Sequence, residues 1–278
     1  MNKNKLIWEV VIERLSSWKA AWENEIDNLG QVPKILQRSD GKRFSDNEVY
    51  EGFVHAIFTA SIDYRIVKTN FVKIKRAFND FDLSIMSNKQ LYKTKEDILN
   101  ALGFNGRYDT NKTGYSQNNL ANKAIRTASD ITRIVSSFGS MELFFERYCM
   151  NNSIKIAQSL SSGQFKISGM LLPIAHEAIK NVGFDTIKPD RHIKRIFYYF
   201  GWYTNNTGWE LDNKNSNYKY PLLNDAQVNE LIIASKKIKE ELGINSLCYL
   251  DNVLWLLCSK SGLHYTNSEL IEITKNFS

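Results

Sequence analysis

Cysteine is scarce and odd in number: Cys149, Cys248 and Cys258 are the three in the chain. Their spacing fits neither a zinc site nor a four-cysteine iron–sulfur loop. An odd count argues against a disulfide framework, which leaves buried free thiols in a reducing compartment. Long apolar runs are missing too, and nothing approaches the roughly 18 residues that a membrane-spanning helix needs. The opening MNKNKLIWEVVIERL is broken up by Glu9, Glu13 and Arg14, and lacks the apolar core and cleavage site of a signal peptide. A cytoplasmic protein with no membrane partner is expected. Convincing period-2 alternation is absent, which excludes an evident sheet, and no internal repeat is found. No His/Cys/Asp/Glu cluster has metal-ligand spacing and no Gly-rich loop would cradle a phosphate, so no metal or nucleotide cofactor is expected.

What is present is ordinary for a soluble globular protein: 278 residues, 43% hydrophobic and 24% charged. That length suits one large domain or two small ones sharing an interface. The formal net charge of +6 permits a polyanionic partner. Part of it is discounted, because the chain is rich in Asn, Lys and Ile in the manner of a coding bias.

Almost every periodic segment has the helical period. Ile7, Val11, Leu15, Trp18 and Trp22 predict one helix stopped near Gly30, followed by a loop over QVPKILQRSDGKRFSD, residues 31–46. Ser45 or Asp46 then caps a helix carrying Val49, Phe53, Ala56, Ile57 and Ala60. After a break at Ser61-Ile62-Asp63, Val67, Phe71, Ile74 and Phe78 line another helix. Its other faces carry Arg65, Lys68, Lys73, Lys75 and Arg76, either a solvated face or a DNA-facing patch. Further helices are predicted over 95–102, through Ala124, Ala128, Ile131 and Val135 up to Gly139, after the cap Ser140, and over 151–160. Residues 105–117 and 202–223 read as loops, and 225–242 and 246–258 as helices. The fold class is all-α.

The stretch from Phe165 to Phe200 has the most structure in its sequence. It predicts a tight hairpin at Ser168-Gly169-Met170, then a helix whose apolar face is Ala175, Ala178, Ile179 and Val182. Pro173 suits that helix's first turn and Gly183 its stop. Asp190 stands at the N-cap of a further helix, just after Pro189, which bars helix continuation.

Gly169 and Ala175 in the pattern G-x-x-x-x-x-A, then Asn181-Val182-Gly183-Phe184-Asp185, then Asp190-Arg191-His192, together resemble the helix-hairpin-helix (HhH-GPD) superfamily of base-excision DNA glycosylases. The chain is most similar in look to the bacterial and archaeal 8-oxoguanine branch. The helix-break-helix at 46–79, KAIRTASDITRIVSSFGSMELFF at 123–145 and YLDNVLWLLCSKSGL at 249–263 follow that domain's order, so the resemblance covers residues 45–263. It implies a two-lobed helical fold with the DNA and base site between the lobes. Residues 1–44 would be an N-terminal helix and loop packed on the core, 165–183 the hairpin motif, 184–192 the catalytic loop, 202–223 an insertion and 264–278 a tail.

The resemblance also implies roles. Asp190 would be the catalytic carboxylate, stabilising a cationic sugar or activating water. The structural alternative is a plain N-cap, which is compatible with that role. The hairpin, with Lys166, Ser168, Gly169, Met170 and Leu171, would meet the DNA backbone through outward N–H groups. Leu171 stands where the family has its second hairpin glycine, so Met170 or Leu171 would pack against sugar or base. His192 would bond to phosphate or backbone, or serve as a core or capping histidine. Tyr64, His176, Trp202 and Trp209 are candidates for a base pocket or a wedge, against the plainer readings of a buried tyrosine and of aromatics pinning a loop. Bifunctional members place a nucleophilic lysine near the start of the helix after the hairpin. Here that position is Pro173, and no lysine lies between Lys166 and Lys180. A monofunctional enzyme is therefore expected, acting as a monomer on double-stranded DNA that contains a modified base and leaving an abasic site. The alternative is a non-catalytic helix-hairpin-helix DNA-binding protein.

Overall fold

The computed structural model describes residues 2–88, 95–104, 116–203, 225–275 and 277. Its first helices are α1 (Lys3–Trp18), α2 (Glu23–Asp27), α3 (Gln31–Ser39), α4 (Asp46–Thr59), α5 (Tyr64–Ala77), α6 (Leu83–Met86) and α7 (Lys95–Ala101). Then come α8 (Ser116–Phe138) and α9 (Met141–Leu143), which runs into one π-helical turn over Phe144–Tyr148. The chain continues with α10 (Ser153–Ser161), α11 (Leu172–Lys180) and α12 (Arg191–Phe200), and closes with α13 (Asp225–Leu242), α14 (Leu247–Cys258) and α15 (Asn267–Lys275). No strand occurs among the described residues, so the all-α expectation holds. No described helix is long and apolar enough to cross a membrane.

The chain divides into two compact units, residues 33–184 and residues 1–32 with 185–278. The sequence placed boundaries at 44/45 and 263/264 instead. Two packing facts account for the difference. Phe44 is buried in the core of the 33–184 unit, so residues 33–44 belong to it. The expected tail is the amphipathic helix α15, whose Leu270 and Ile273 are buried and which lies against α12 and α1.

Two local expectations also change. The predicted first helix is two helices: Lys19 is extended, its N–H closing on Leu15 O, and the chain turns there. Trp18 is left at the surface while Trp22, at the N-cap of the next helix, enters the core. The predicted loop at 31–46 contains α3, because Pro33 falls in that helix's first turn, where a missing N–H costs no hydrogen bond. The predicted loop at 202–223 lies outside the described residues from 204 on, as does 105–115.

In the 33–184 unit, α4 is the central element, packed on α8 and α11. Its start is fixed by a capping box: Ser45 Oγ accepts from Glu48 N–H at 3.3 Å while Ser45 N–H donates to Glu48 Oε2 at 2.8 Å. On α5, Arg65 pairs with Asp63 at 2.9 Å and Lys75 with Glu51 at 3.5 Å, while Lys68, Lys73 and Arg76 are exposed.

The Asn181–Phe184 run turns out to be a packing junction. Asn181 Nδ2 donates to Gly52 O at 2.9 Å on α4, and α3 closes over the other side. Lys34 Nζ donates to Asn181 O and Arg38 Nε to Val182 O, both at 2.9 Å. The Arg38 guanidinium lies 4.0 Å from the Phe184 ring centre and grips Glu142 through two nitrogens at 3.0 and 2.5 Å. Glu142 in turn accepts from Phe44 N–H at 2.9 Å. Gly183 has φ +85°, and a Cβ there would stand 2.6 Å from Lys34 O, so glycine is required on both counts. Replacing Arg38 by Leu strands the Glu142 carboxylate, and the expected loss is about 3 kcal/mol in urea denaturation; a loss under about 1 kcal/mol, the range of a surface ion pair, contradicts the clamp.

Candidate functional site

The hairpin forms where the sequence places it, held by one face of α8. Met170 N–H donates to Ile167 O at 3.1 Å, closing the turn, and Gly169 takes the left-handed φ of +84°. Ser168 N–H donates to Asp130 Oδ2 at 2.7 Å. Arg133 donates to Gln164 O, and to Lys166 O at 3.2 Å. The N–H of Ser168 is thus turned onto α8 rather than outward, unlike the expectation for this motif. Met170 is also not at the surface: its side chain is 0% exposed and part of the core. Leu171, the N-cap of α11, is 53% exposed, and Lys166 is exposed.

Asp190 is the N-cap of α12, as expected. Its Oδ1 accepts from His192 N–H at 2.8 Å and Ile193 N–H at 3.2 Å. Oδ2 stands 3.6 Å from Lys188 Nζ, with both side chains mostly buried. Burial by itself would raise the carboxyl pKa, but Lys188, His192 and the two N–H donors outweigh it and hold the group below the usual carboxylate range. His192 is itself pushed down to about 4, first by burial and further by Arg191, Arg195 and Lys188, against the pull of Asp190. It is uncharged at neutral pH, so there Lys188 and the backbone donors keep Asp190 ionised. Lys194, one turn into α12, is buried and lowered to about 8, with Asp190 opposing the effect of burial.

The loop from 184 to 190 has no regular structure, yet it is tied down by carboxylates. Asp185 accepts from Ser246 Oγ at 2.8 Å, Leu247 N–H at 3.1 Å and Cys248 N–H at 2.9 Å, capping α14. Asp251, on α14, accepts from Lys188 N–H at 3.1 Å. A fixed, ionised carboxylate on a braced loop is what stabilisation of a developing positive charge requires, or the orientation of a water molecule.

The other candidates are placed less favourably. His176 is 0% exposed in the α11 core, held down at about 3 by burial and then by Lys180, so it faces no ligand from the surface. Lys180 is buried against Glu177 at 3.1 Å. Tyr64 opens α5 at the expected break, half-buried and edge-on to His55 at 6.2 Å. Trp202 is 6% exposed, donates to Asn4 Oδ1 at 3.1 Å and packs edge-on to Phe197 and Phe200; it pins the chain after α12. Trp209 lies outside the described residues. Among the described residues no group of three or more His, Cys, Asp or Glu could hold a metal ion.

Sequence reasoning missed Asp185, Lys188, Asp251, Asp130 and Arg133. For Asp251 a signal existed: it is the lone acid in the apolar run LCYLDNVLWLLC, and a buried acid needs a donor. Asp185 was named in the motif but given no role, since its partners lie about sixty residues on.

No known family model matches the chain, and no curated protein is significantly similar to it. Its fold is that of a helical DNA glycosylase. Among solved structures it is similar to the crystal structure of Methanocaldococcus jannaschii 8-oxoguanine DNA glycosylase, at 19% identity over 93% of this chain and 98% of that one, with a TM-score of 0.55. At that identity the likeness establishes the fold.

Asp185→Ala removes three acceptor contacts from the start of α14. It is expected to cost about 1–2 kcal/mol and to speed amide exchange at Leu247 and Cys248; unchanged exchange contradicts the brace. His176 and His192 both have folded pKa values below the usual 6.5, so the unfolded chain binds more protons between those values. The contribution of these two histidines to stability is therefore full above about 6.5 and falls as pH drops toward about 3 to 4. Denaturation midpoints that stay level or rise on acidification contradict this burial.

Proposed function

We propose that this chain is a monofunctional DNA N-glycosylase, which turns a modified base out of double-stranded DNA and hydrolyses its N-glycosidic bond. The observation that carries this reading is Asp190: a mostly buried carboxylate held ionised at the head of α12 by Lys188 and two backbone N–H groups, on a loop braced at Asp185 and Asp251. The glycosylase fold supports it independently.

Extruding the nucleotide costs a few kcal/mol, less for a damaged or mispaired base. As the C1′–N bond breaks, its electron pair leaves with the base and the sugar becomes cationic. The Asp190 carboxylate stabilises that charge or orients the water whose oxygen bonds to C1′. The base takes up a proton and an abasic site remains.

Chemistry stops there in this reading. Pro173 occupies the place of the nucleophilic lysine in bifunctional relatives, and the first lysine of α11, Lys180, is buried in a pair with Glu177. The similar structure acts, by its name, on 8-oxoguanine, so oxidised purines head the substrate panel. Leu171 and Pro173 depart from that branch's pattern, which makes alkylated, mismatched and otherwise modified bases part of the same panel.

The test is a set of duplexes each carrying one modified base, incubated with the purified chain and developed with alkali. Alkali-labile sites with at least one duplex are expected, and none without alkali. Borohydride present during the reaction is expected to trap no covalent complex. A trapped complex overturns the monofunctional reading. Salt-dependent DNA binding with no abasic product from any duplex favours the non-catalytic DNA-binding protein.

A further inference from the structure

We propose that Lys123, on α8, is a phosphate ligand of the hairpin, delivered to it across Gly169. This rests on the reading of the chain as a DNA-binding glycosylase and names a contact residue outside the hairpin motif itself.

The geometry is specific. A Cβ built on Gly169 would stand 2.6 Å from Lys123 Cδ and 2.8 Å from its Cβ and Cγ, so the lysine stem lies flat against the glycine α-carbon. Glycine at 169 therefore does two things: it takes the φ of +84°, and it leaves the groove in which that stem runs. Lys123 is exposed, which sends the ammonium beyond the stem to the solvent edge of the turn.

Of the charges on the same helix face, Arg126 is exposed, whereas Asp130 and Arg133 are engaged with the turn. Asp130 holds Ser168 N–H at 2.7 Å and stands 3.6 Å from Arg133, which in turn holds the carbonyls of Gln164 and Lys166. Lys123 has no acidic partner among the described residues. Lys123, Asp130 and Arg133 follow one another at i, i+7 and i+10, so a single helix face sets the turn and supplies its cation. That cation offsets what the turn lacks for anion binding: Ser168 N–H is used internally, and Leu171 stands where a glycine would let the DNA backbone approach.

The experiment measures affinity for an unmodified duplex between about 50 and 200 mM salt, for the wild type and for the K123Q, K123R and K236Q variants. Lys236 is an exposed lysine of α13 that serves as a control for net charge. The slope of log K against log salt is expected to fall by about 1 in K123Q and to keep its wild-type value in K123R and K236Q. A K123Q slope equal to that of the wild type overturns the inference and leaves the glycosylase reading standing. Equal losses in K123Q and K236Q overturn it too, as a net-charge effect. A wild-type protein with no salt-dependent DNA binding overturns both. Thermal melting of each variant confirms that the folded protein is being compared.

Discussion

The structure around Asp190 depends on two carboxylates placed where no regular element would hold the chain. Asp185 takes the free N–H groups at the start of α14, and Asp251 on the same helix returns a bond to Lys188 N–H. The segment between Phe184 and α12 thereby acquires the rigidity of the helix it rests on. A loop left to itself would spend about 1–2 kcal/mol of conformational entropy per residue on ordering. Here the bonds that order it also satisfy donors that a helix terminus would otherwise leave exposed. Asp190 repeats the device one element later, capping α12 with its own carboxylate.

Capping at Asp190 is compatible with the proposed chemistry because its two oxygens have different partners. Oδ1 accepts from both backbone N–H groups, and Oδ2 faces Lys188. The positive end of the helix, the donors and the lysine all favour the ionised form, against the cost of burial. A carboxylate in that state needs no reorganisation when positive charge develops in front of it, which is the economy of preorganised electrostatics.

Much of the fold was legible because helix signals are local. The cap at Ser45, the stops at Gly139 and Gly183, the hairpin at 168–170 and the N-cap at Asp190 all stand where residue type and spacing put them. What was illegible is long-range. Pro33 reads as a breaker until its place in a first turn is known, and Asn181–Phe184 reads as a functional signature until α3 is found clamped on it through Arg38 and Lys34. His176 and Met170 were candidates by residue type and place in the motif; helix and turn geometry sends both inward. Trp202 went the same way, its indole bonded to Asn4, some two hundred residues earlier. Sequence alone therefore placed Asp190 at the N-cap of α12 but not the residues that hold it in place.

Single-turnover release of the base from a duplex that the wild type cleaves, compared with the Asp190→Asn variant, tests the role of this carboxylate most directly. Asparagine caps a helix about as well as aspartate, so the variant keeps the fold and the start of α12 while losing the charge. The expected result is intact duplex binding with base release slowed by about a hundredfold or more. Release at the wild-type rate from a folded, DNA-bound Asp190→Asn protein would contradict it, and would leave Asp190 as a helix cap.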